Sequence, residues 1–291
     1  MDALLRSDEM KKIQFTKMHG AANDFILIDD RRLQFPADDH VLLAALADRH
    51  TGISCEGIIL LRPSERSGDF RMLFFNPDGT EADMCGNGAR CAAAFARDCG
   101  AVKGSSMTME TAAGLVDAQI LGPGLVKIWV NEPSDRRYDL EVALPGGPVK
   151  GNFVNSGVPH FVVSVDSPSS VDVDGLGRRL RLADEFAPAG TNVDFVRYRK
   201  PNQAFLRTYE RGVEAESGAC GTGAIAAAIV GMEKFGMSLP MTVRTPAGFS
   251  LTVDGDYRKS KSTGLTLTGP VKKVFVGEID LDSIDLGNEM E

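Results

Sequence analysis

Two stretches of this chain of 291 residues read Cys-Gly-polar-Gly and then run into an alanine-rich segment, one from Cys85 and one from Cys220. Glycines at a helix start allow a tight turn and remove side chains. Successive N–H groups then stand open to an anion, and the helix dipole adds partial positive charge at the same place. A carboxylate is the natural guest. The same field bears on the cysteine, because a free thiol titrates near ~8.5 and a helix N-terminus can bring that value toward neutrality. Each start therefore combines a tunable proton carrier with a carboxylate anchor. If two of them face one α-carbon, one thiolate can remove the α-proton while the opposite thiol delivers another, which inverts the centre. Chemically similar groups suit such a reversible step, since acid and base exchange roles after each turnover.

The elements that must position these cysteines follow from periodicity. Short alternating or β-branched runs at 13–15, 25–28, 57–61, 70–75, 106–110, 115–120 and 126–130 predict strands. So do runs at 161–165, 193–197, 204–210, 241–245, 250–253, 264–268 and 271–279. Helical text is scarcer and is confined to 40–48, 88–99, 222–235 and a weaker segment at 171–182. The two cysteine starts lie 135 residues apart, close to half the chain, and each follows acidic and small residues (TEADM and EAESGA). Two copies of one supersecondary plan give such an offset. The expectation is a duplicated α+β architecture in which each alanine-rich, nearly uncharged helix is buried against its own curved sheet.

Composition narrows the function. Hydrophobic residues make up 43% and charged ones 25%, the balance of a soluble globular protein with substantial cores. With 32 basic against 40 acidic residues the formal charge is −8, and no Lys/Arg run is long enough to track phosphates, so nucleic acid is not an expected partner. No leader-like segment opens the chain and no apolar run approaches the roughly 18 residues of a membrane span, which predicts a cytoplasmic protein without membrane association. Residues 1–10 read as a frayed extension. Five cysteines without a CxxC suggest neither a disulfide framework nor a zinc site. Cys91 and Cys99 read as packing residues, and Cys55 lacks the glycine context.

Five blocks resemble the diaminopimelate epimerase family, in that family's order: KMHGAANDF at 17–25, FFNPDGTEADMCGNGARC at 74–91, GVPH at 157–160, GTNVDF at 190–195 and YERGVEAESGACGTG at 209–223. The resemblance implies two pseudo-symmetric domains, each a curved, mostly antiparallel sheet wrapped around a central buried helix. The final strand would return to the first domain, giving domains at 1–130 with about 271–291, and at 131–270. It implies an isomerase of lysine and peptidoglycan precursor biosynthesis, acting on a small-molecule amino acid without pyridoxal phosphate, metal or other cofactor; a homodimer stays open. It makes Cys85 and Cys220 the acid/base pair, with His160 and Glu210 close to the reacting centre. Gly86, Asn87, Gly221 and Thr222 would cradle the reacting carboxylate, Asn23, Asn76 and Asn192 would orient the substrate, and Arg211 would grip a distal carboxylate. His19 matches a family position and reads as structural.

Plainer readings exist for several of these residues. Asn23 and Asn76 stand in turn-forming contexts, His160 could be a satisfied core histidine, and Glu210 and Arg211 could form an ordinary surface pair. The chain also departs from the family pattern at Val158, Ser217 and Glu56, and at Ser54-Cys55; Asn155 could replace the polar contact missing at Val158. Alternatives to the primary reading are a same-fold racemase of another amino acid and a thiol redox or metal-binding protein using Cys85, Cys220, His19 and His160.

Overall fold

The computed structural model describes residues 12–258 and 261–286, so the proposed extension at 1–10 lies outside the described residues. Contacts divide the chain into two units, residues 1–128 with 271–291, and residues 129–270. The fold is mixed, sheet-rich and barrel-like, with four α-helices among the described residues. None of those helices is long and apolar enough to cross a membrane.

The first unit contains β1 (Lys12–Gly20), β2 (Asn23–Asp29), β3 (Ile58–Arg62), β4 (Phe70–Phe75), β5 (Glu81–Ala82), β6 (Ser106–Thr111), β7 (Gly114–Gly122) and β8 (Leu125–Trp129). Helices α1 (His40–Ala47) and α2 (Gly86–Asp98) and the second half of β17 (Lys261–Asp280) complete it. Pairing runs β17–β1–β2–β3–β4–β6–β7–β8, with β5 hung on β4. The senses are antiparallel twice, parallel, antiparallel, parallel, then antiparallel twice. Val271 N–H donates to the Gly124 carbonyl, which brings the last strand back to the start of β8.

The second unit contains β9 (Ser134–Val142), β10 (Val149–Asn155), β11 (Pro159–Ser164), β12 (Asn192–Arg199), β13 (Gln203–Glu210), β14 (Ala215–Ser217), β15 (Met241–Arg244) and β16 (Ser250–Arg258). It is completed by the first half of β17 and by helices α3 (Val173–Arg181) and α4 (Gly221–Phe235). Its pairing order β9–β10–β11–β12–β13–β15–β16–β17 repeats the same series of senses, with β14 hung on β13. The internal repeat seen in two short motifs thus extends to a whole pairing diagram.

Burial explains why several strands read as continuous apolar runs. Ile58 through Leu61 are all buried; Ile58 and Leu60 join a core with Leu42, Leu43 and Leu46 of α1, while the Ile59 side chain lies against Gly88 of α2. A strand covered on both faces has no polar face to alternate with. Helix α2 packs on β1, β2, β3, β4 and β7, and α4 packs on β10, β11, β12, β13, β15 and β16. Their alanines let the sheet approach closely: Ala89, Ala92, Ala93 and Ala96, and likewise Ala224 and Ala226 to Ala228, are almost completely buried. α4 stops at Gly236, whose φ of +63° closes the helix in the left-handed region.

Strands β9 and β10 were not expected. β9 reads SDRRYDLEV, has a single fully buried residue, and holds Asp135 and Asp139 at positive φ, so its apolar alternation is too weak to see. β10 is interrupted in pairing register near Gly151. The segments expected at 264–268 and 271–279 form one strand, because the fixed φ of Pro270 suits extended backbone and only one ladder donor is lost there. Both cysteine helices begin earlier than expected, at Gly86 and Gly221, with the cysteines as N-caps.

Candidate active site

In the first unit the Cys85 sulfur accepts a hydrogen bond from Gly88 N–H at 3.5 Å, and its S–H points at Asn23 Oδ1, 3.7 Å away. Asn87 Nδ2 donates to the same Asn23 oxygen at 3.1 Å, and Asn23 Nδ2 donates to Glu56 Oε2 at 2.5 Å. The β1–β2 turn sits on the helix start because Gly20 has no side chain; a Cβ there would stand 2.8 Å from the Asn87 carbonyl oxygen. Ala21 and Ala22 occupy this turn at φ of +56° and +77°, a conformation that costs a non-glycine residue about 1–2 kcal/mol. The backbone next to Asn23 is therefore held under strain, as is common beside functional groups.

Arg90 completes this half. Its side chain is completely buried, Nη2 donates to Asn87 Oδ1 at 2.6 Å, and Nη1 reaches the Gly86 carbonyl at 3.3 Å. Nε has no hydrogen-bond partner, and among the described residues no carboxylate pairs with the guanidinium. Burial pulls its pKa down to about 10, opposed by attraction to Cys91 and Cys85. Asn76 lies at the end of β4 with its amide bonded to Thr80 Oγ1 at 3.1 Å, which is the turn-forming role. His19 Nδ1 accepts from Ala22 N–H at 3.3 Å and so serves the β1–β2 turn.

In the second unit the Cys220 sulfur accepts from Gly223 N–H at 3.4 Å and lies 3.4 Å from Thr222 Oγ1. A buried chain continues from there. Thr222 Oγ1 meets His160 Nε2 at 2.9 Å, His160 Nδ1 meets Asp194 Oδ2 at 2.8 Å, and Thr208 Oγ1 donates to Asp194 Oδ1 at 2.7 Å. His160 and Asp194 are completely buried. An Asp194 carboxylate can only accept, so His160 Nδ1–H donates to it, and the Nε2 edge of the ring faces the Thr222 hydroxyl. Gly223 is required here, since a Cβ would stand 2.8 Å from Asp194 Oδ1.

Asn192 bridges the remaining polar groups: its Nδ2 donates to the Pro159 carbonyl at 2.9 Å, and its Oδ1 accepts from Arg211 N–H at 2.8 Å. The Arg211 side chain reaches the Ala189 carbonyl at 3.2 Å and pairs with no carboxylate among the described residues. Asn155 Oδ1 accepts from Gly157 N–H at 3.1 Å, so this side chain serves the β10–β11 turn. Ser156 Oγ donates to the Thr222 carbonyl at 2.8 Å and seats that turn on the helix start, as Gly20 does in the first unit. Ser217 Oγ is buried without a hydrogen-bond partner among the described residues.

One electrostatic expectation fails at Cys220. The helix N-terminus was expected to lower both thiols, yet burial, then the charges of Glu210 and Asp194, push Cys220 well above the usual thiol range; the Thr222 and Gly223 hydrogen bonds only partly oppose them. Cys55 and Cys91 are raised mainly by burial, to about 11 for Cys55, in keeping with packing roles. Among the described residues no group of three His, Cys, Asp or Glu is arranged to hold a metal ion.

The structure thus gathers Asn23, Cys85, Gly86 and Asn87 in one unit, and His160, Asn192, Cys220, Gly221 and Thr222 in the other, with Glu210 and Arg211 closing β13. Sequence reasoning missed Arg90, Asp194 and Thr208. Two signals were present: a charge inside the buried first turns of an alanine-rich helix, and an acid inside the apolar run Asn-Val-Asp-Phe-Val.

The architecture is shared with solved structures at low sequence identity. A hydroxyproline epimerase from Agrobacterium vitis superposes with a TM-score of 0.70 at 19% identity, covering 94% of this chain and 93% of that one. A probable proline racemase from Agrobacterium radiobacter K84 gives 0.73 at 17%, covering 94% of each chain. The diaminopimelate epimerase of Aquifex aeolicus VF5 is 40% identical over 290 residues, covering 94% of this chain and all of the relative. That of Hydrogenobaculum sp. Y04AAS1 is 36% identical over 283 residues, covering 92% and 98%. The diaminopimelate epimerase family profile matches residues 15–134 and 152–274, which hold both cysteine helix starts and the polar chains around them, and the chain therefore belongs to the diaminopimelate epimerase family.

Proposed function

We propose that this epimerase interconverts LL- and meso-2,6-diaminoheptanedioate by proton transfer between two thiols, Cys85 and Cys220, on opposite faces of the α-carbon. The observation that carries this reading is the matched placement of the two sulfurs, each capping a glycine-led helix and each accepting the third N–H of its helix. In the reaction, Gly86, Asn87, Gly221 and Thr222 bind the carboxylate on the reacting carbon. One thiolate takes the α-proton, the carbanion is stabilised by the carboxylate held at two helix ends, and the other thiol reprotonates the opposite face. His160 and Glu210 set the proton affinity around Cys220. Asn23, Asn76 and Asn192 orient the amino group. No pyridoxal phosphate or metal takes part in this scheme, because the thiols and amides supply acid, base and anion stabilisation.

The substrate is the one named for the curated relatives, and Arg211 supports it: a second carboxylate needs a cation not already paired. The two units act as N-terminal and C-terminal epimerase domains, each a sheet around its cysteine helix, in a cytoplasmic enzyme of lysine and peptidoglycan precursor synthesis. The test is incorporation of solvent deuterium at Cα across a panel of amino acids. Diaminopimelate is expected to label; labelling of a monocarboxylic amino acid without diaminopimelate overturns the substrate. A same-fold racemase of another amino acid is the outcome that result would favour.

A further inference from the structure

A cavity of about 490 Å³ opens on the second unit, and its walls carry Arg197, Arg207 and Arg244 but no carboxylate side chain. In a chain with 40 acidic against 32 basic residues, an all-cationic wall concentrates positive potential where the molecule as a whole is negative. Strand pairing explains how the wall arises. Arg197 on β12 is the register partner of Phe205 on β13, and Phe205 is in turn the partner of Arg244 on β15. Register partners share one face of a sheet, so Phe205 lies in a row between two arginines whose backbones stand about 10 Å apart, two strand spacings.

This row is on the face turned away from Cys220. Asp194 and Thr208 point at Gly223 of α4, whereas Phe195 and Tyr209, which alternate with them, join Val173 and Leu180 of α3 in one core. Arg197, Phe205 and Arg207 continue the second set by the two-residue period of their strands. The sheet itself therefore separates this cavity from the cysteine.

The three cations differ in what they already bind. Arg207 is fully engaged: Nε and Nη2 fork onto Glu216 at 2.7 and 2.5 Å, and Nη1 donates to the Pro168 and Val171 carbonyls at 2.7 and 3.0 Å, which fixes the segment after β11 as one wall. Arg197 and Arg244 are exposed, and among the described residues neither makes an ion pair or a side-chain hydrogen bond. Thr245, in the same wall, keeps a buried hydroxyl without a hydrogen-bond partner among the described residues. Arginine only donates, so what these groups lack is an acceptor bearing negative charge. Phe205, Pro168 and Pro246 add apolar surface for the rest of a small molecule, and the volume is that of a metabolite-sized pocket.

We propose that this cavity is a second ligand site, for a small organic dianion: the guanidinium forks of Arg197 and Arg244 hold its charge, and Phe205 carries its body. A phosphate monoester and a dicarboxylate share that chemistry, the first closing both forks on one group and the second giving each fork its own carboxylate.

Calorimetric titration of the enzyme with phenyl phosphate and with phthalate, at pH 8 where both are doubly charged, tests the proposal. At least one of them is expected to bind with one equivalent per chain; tighter phenyl phosphate marks a phosphoryl ligand, tighter phthalate a dicarboxylate. Benzoate, with the same ring and one charge, is expected to bind at least about tenfold more weakly. Arg197→Gln and Arg244→Gln are each expected to weaken dianion binding about tenfold without changing epimerase turnover, while Arg211→Gln binds as wild type does. No saturable binding of either dianion up to about 10 mM overturns the proposal, as does benzoate binding equally well. Binding that is lost in Arg211→Gln but kept in Arg197→Gln overturns it too, by placing the anion elsewhere. None of these outcomes depends on the acid/base roles of Cys85 and Cys220.

Discussion

Helix α2 and helix α4 start with matched sequences, Cys-Gly-Asn-Gly and Cys-Gly-Thr-Gly, on the same cap geometry, and the buried charges around them differ. Where the first unit has Arg90 inside its helix, the second has Ile225; where the first has Asp24 and Ile58 on β2 and β3, the second has the buried pair His160 and Asp194 at the matching places on β11 and β12. Both His160 and Asp24 directly precede a buried phenylalanine, Phe161 and Phe25. Duplication therefore retained what the backbone must do, a thiol seated on open N–H groups, and let the buried charges diverge. A symmetric reaction does not require a symmetric catalyst, only two proton carriers that both remain reachable.

The strongest way to break the comparison is to remove one carrier at a time. Cys85→Ser and Cys220→Ser are each expected to lower epimerisation by about 10³-fold, within the range of positioned acid–base groups, when turnover is followed by solvent deuterium exchange. Elimination from a substrate with a good leaving group, which needs one base only, is expected to survive better. Full turnover in either variant would rule out a two-base reaction.

Asp194→Asn comes next and acts on the second unit alone. It replaces one of the two Asp194 oxygens that accept from His160 and Thr208 with an NH2 group, and a broken buried pair of this kind costs about 3 kcal/mol in denaturant stability. The equivalent Ile58→Val in the first unit is expected to cost only about 1 kcal/mol. Equal losses would show that the Asp194 chain is ordinary packing.

Glu210→Gln sharpens the electrostatic contrast. Removing a negative charge beside Cys220 eases formation of its thiolate, so its pKa falls and the proton-donating thiol is depleted at lower pH. The alkaline limb of kcat/KM should move to lower pH, and an unmoved limb would separate Glu210 from Cys220. The smallest effect is expected in the β1–β2 turn: Ala22→Gly relieves a positive φ and should leave stability unchanged or raise it by up to about 1 kcal/mol, read as a shift in Tm.

The parts of the site that were legible share one property: they are local in the chain. A cysteine followed by glycines and an alanine-rich run specifies a buried helix within about ten residues, so both cysteine helices could be read directly, to within two residues of their starts. Strands with β-branched runs were legible for the same reason. β9 was not, because a charged strand with one fully buried residue is held by the partner β10 rather than by its own pattern.

What only the tertiary structure decided is which charges meet. Asp194 and His160 are 34 residues apart and touch because β11 and β12 pair in parallel, with Asp194 two residues along β12 from Asn192, the register partner of His160. Arg90 looks like one more surface charge until the sheet closes over α2 and removes it from water. The direction of the Cys220 shift followed the same route, since the helix-start argument is local while burial and the Glu210 and Asp194 charges arrive from distant strands. Backbone conformation is governed by neighbours in sequence, so residue types alone determined the helix starts and the thiols on them. Solvation and Coulomb energy depend on distance through space, and those were set only when the chain folded.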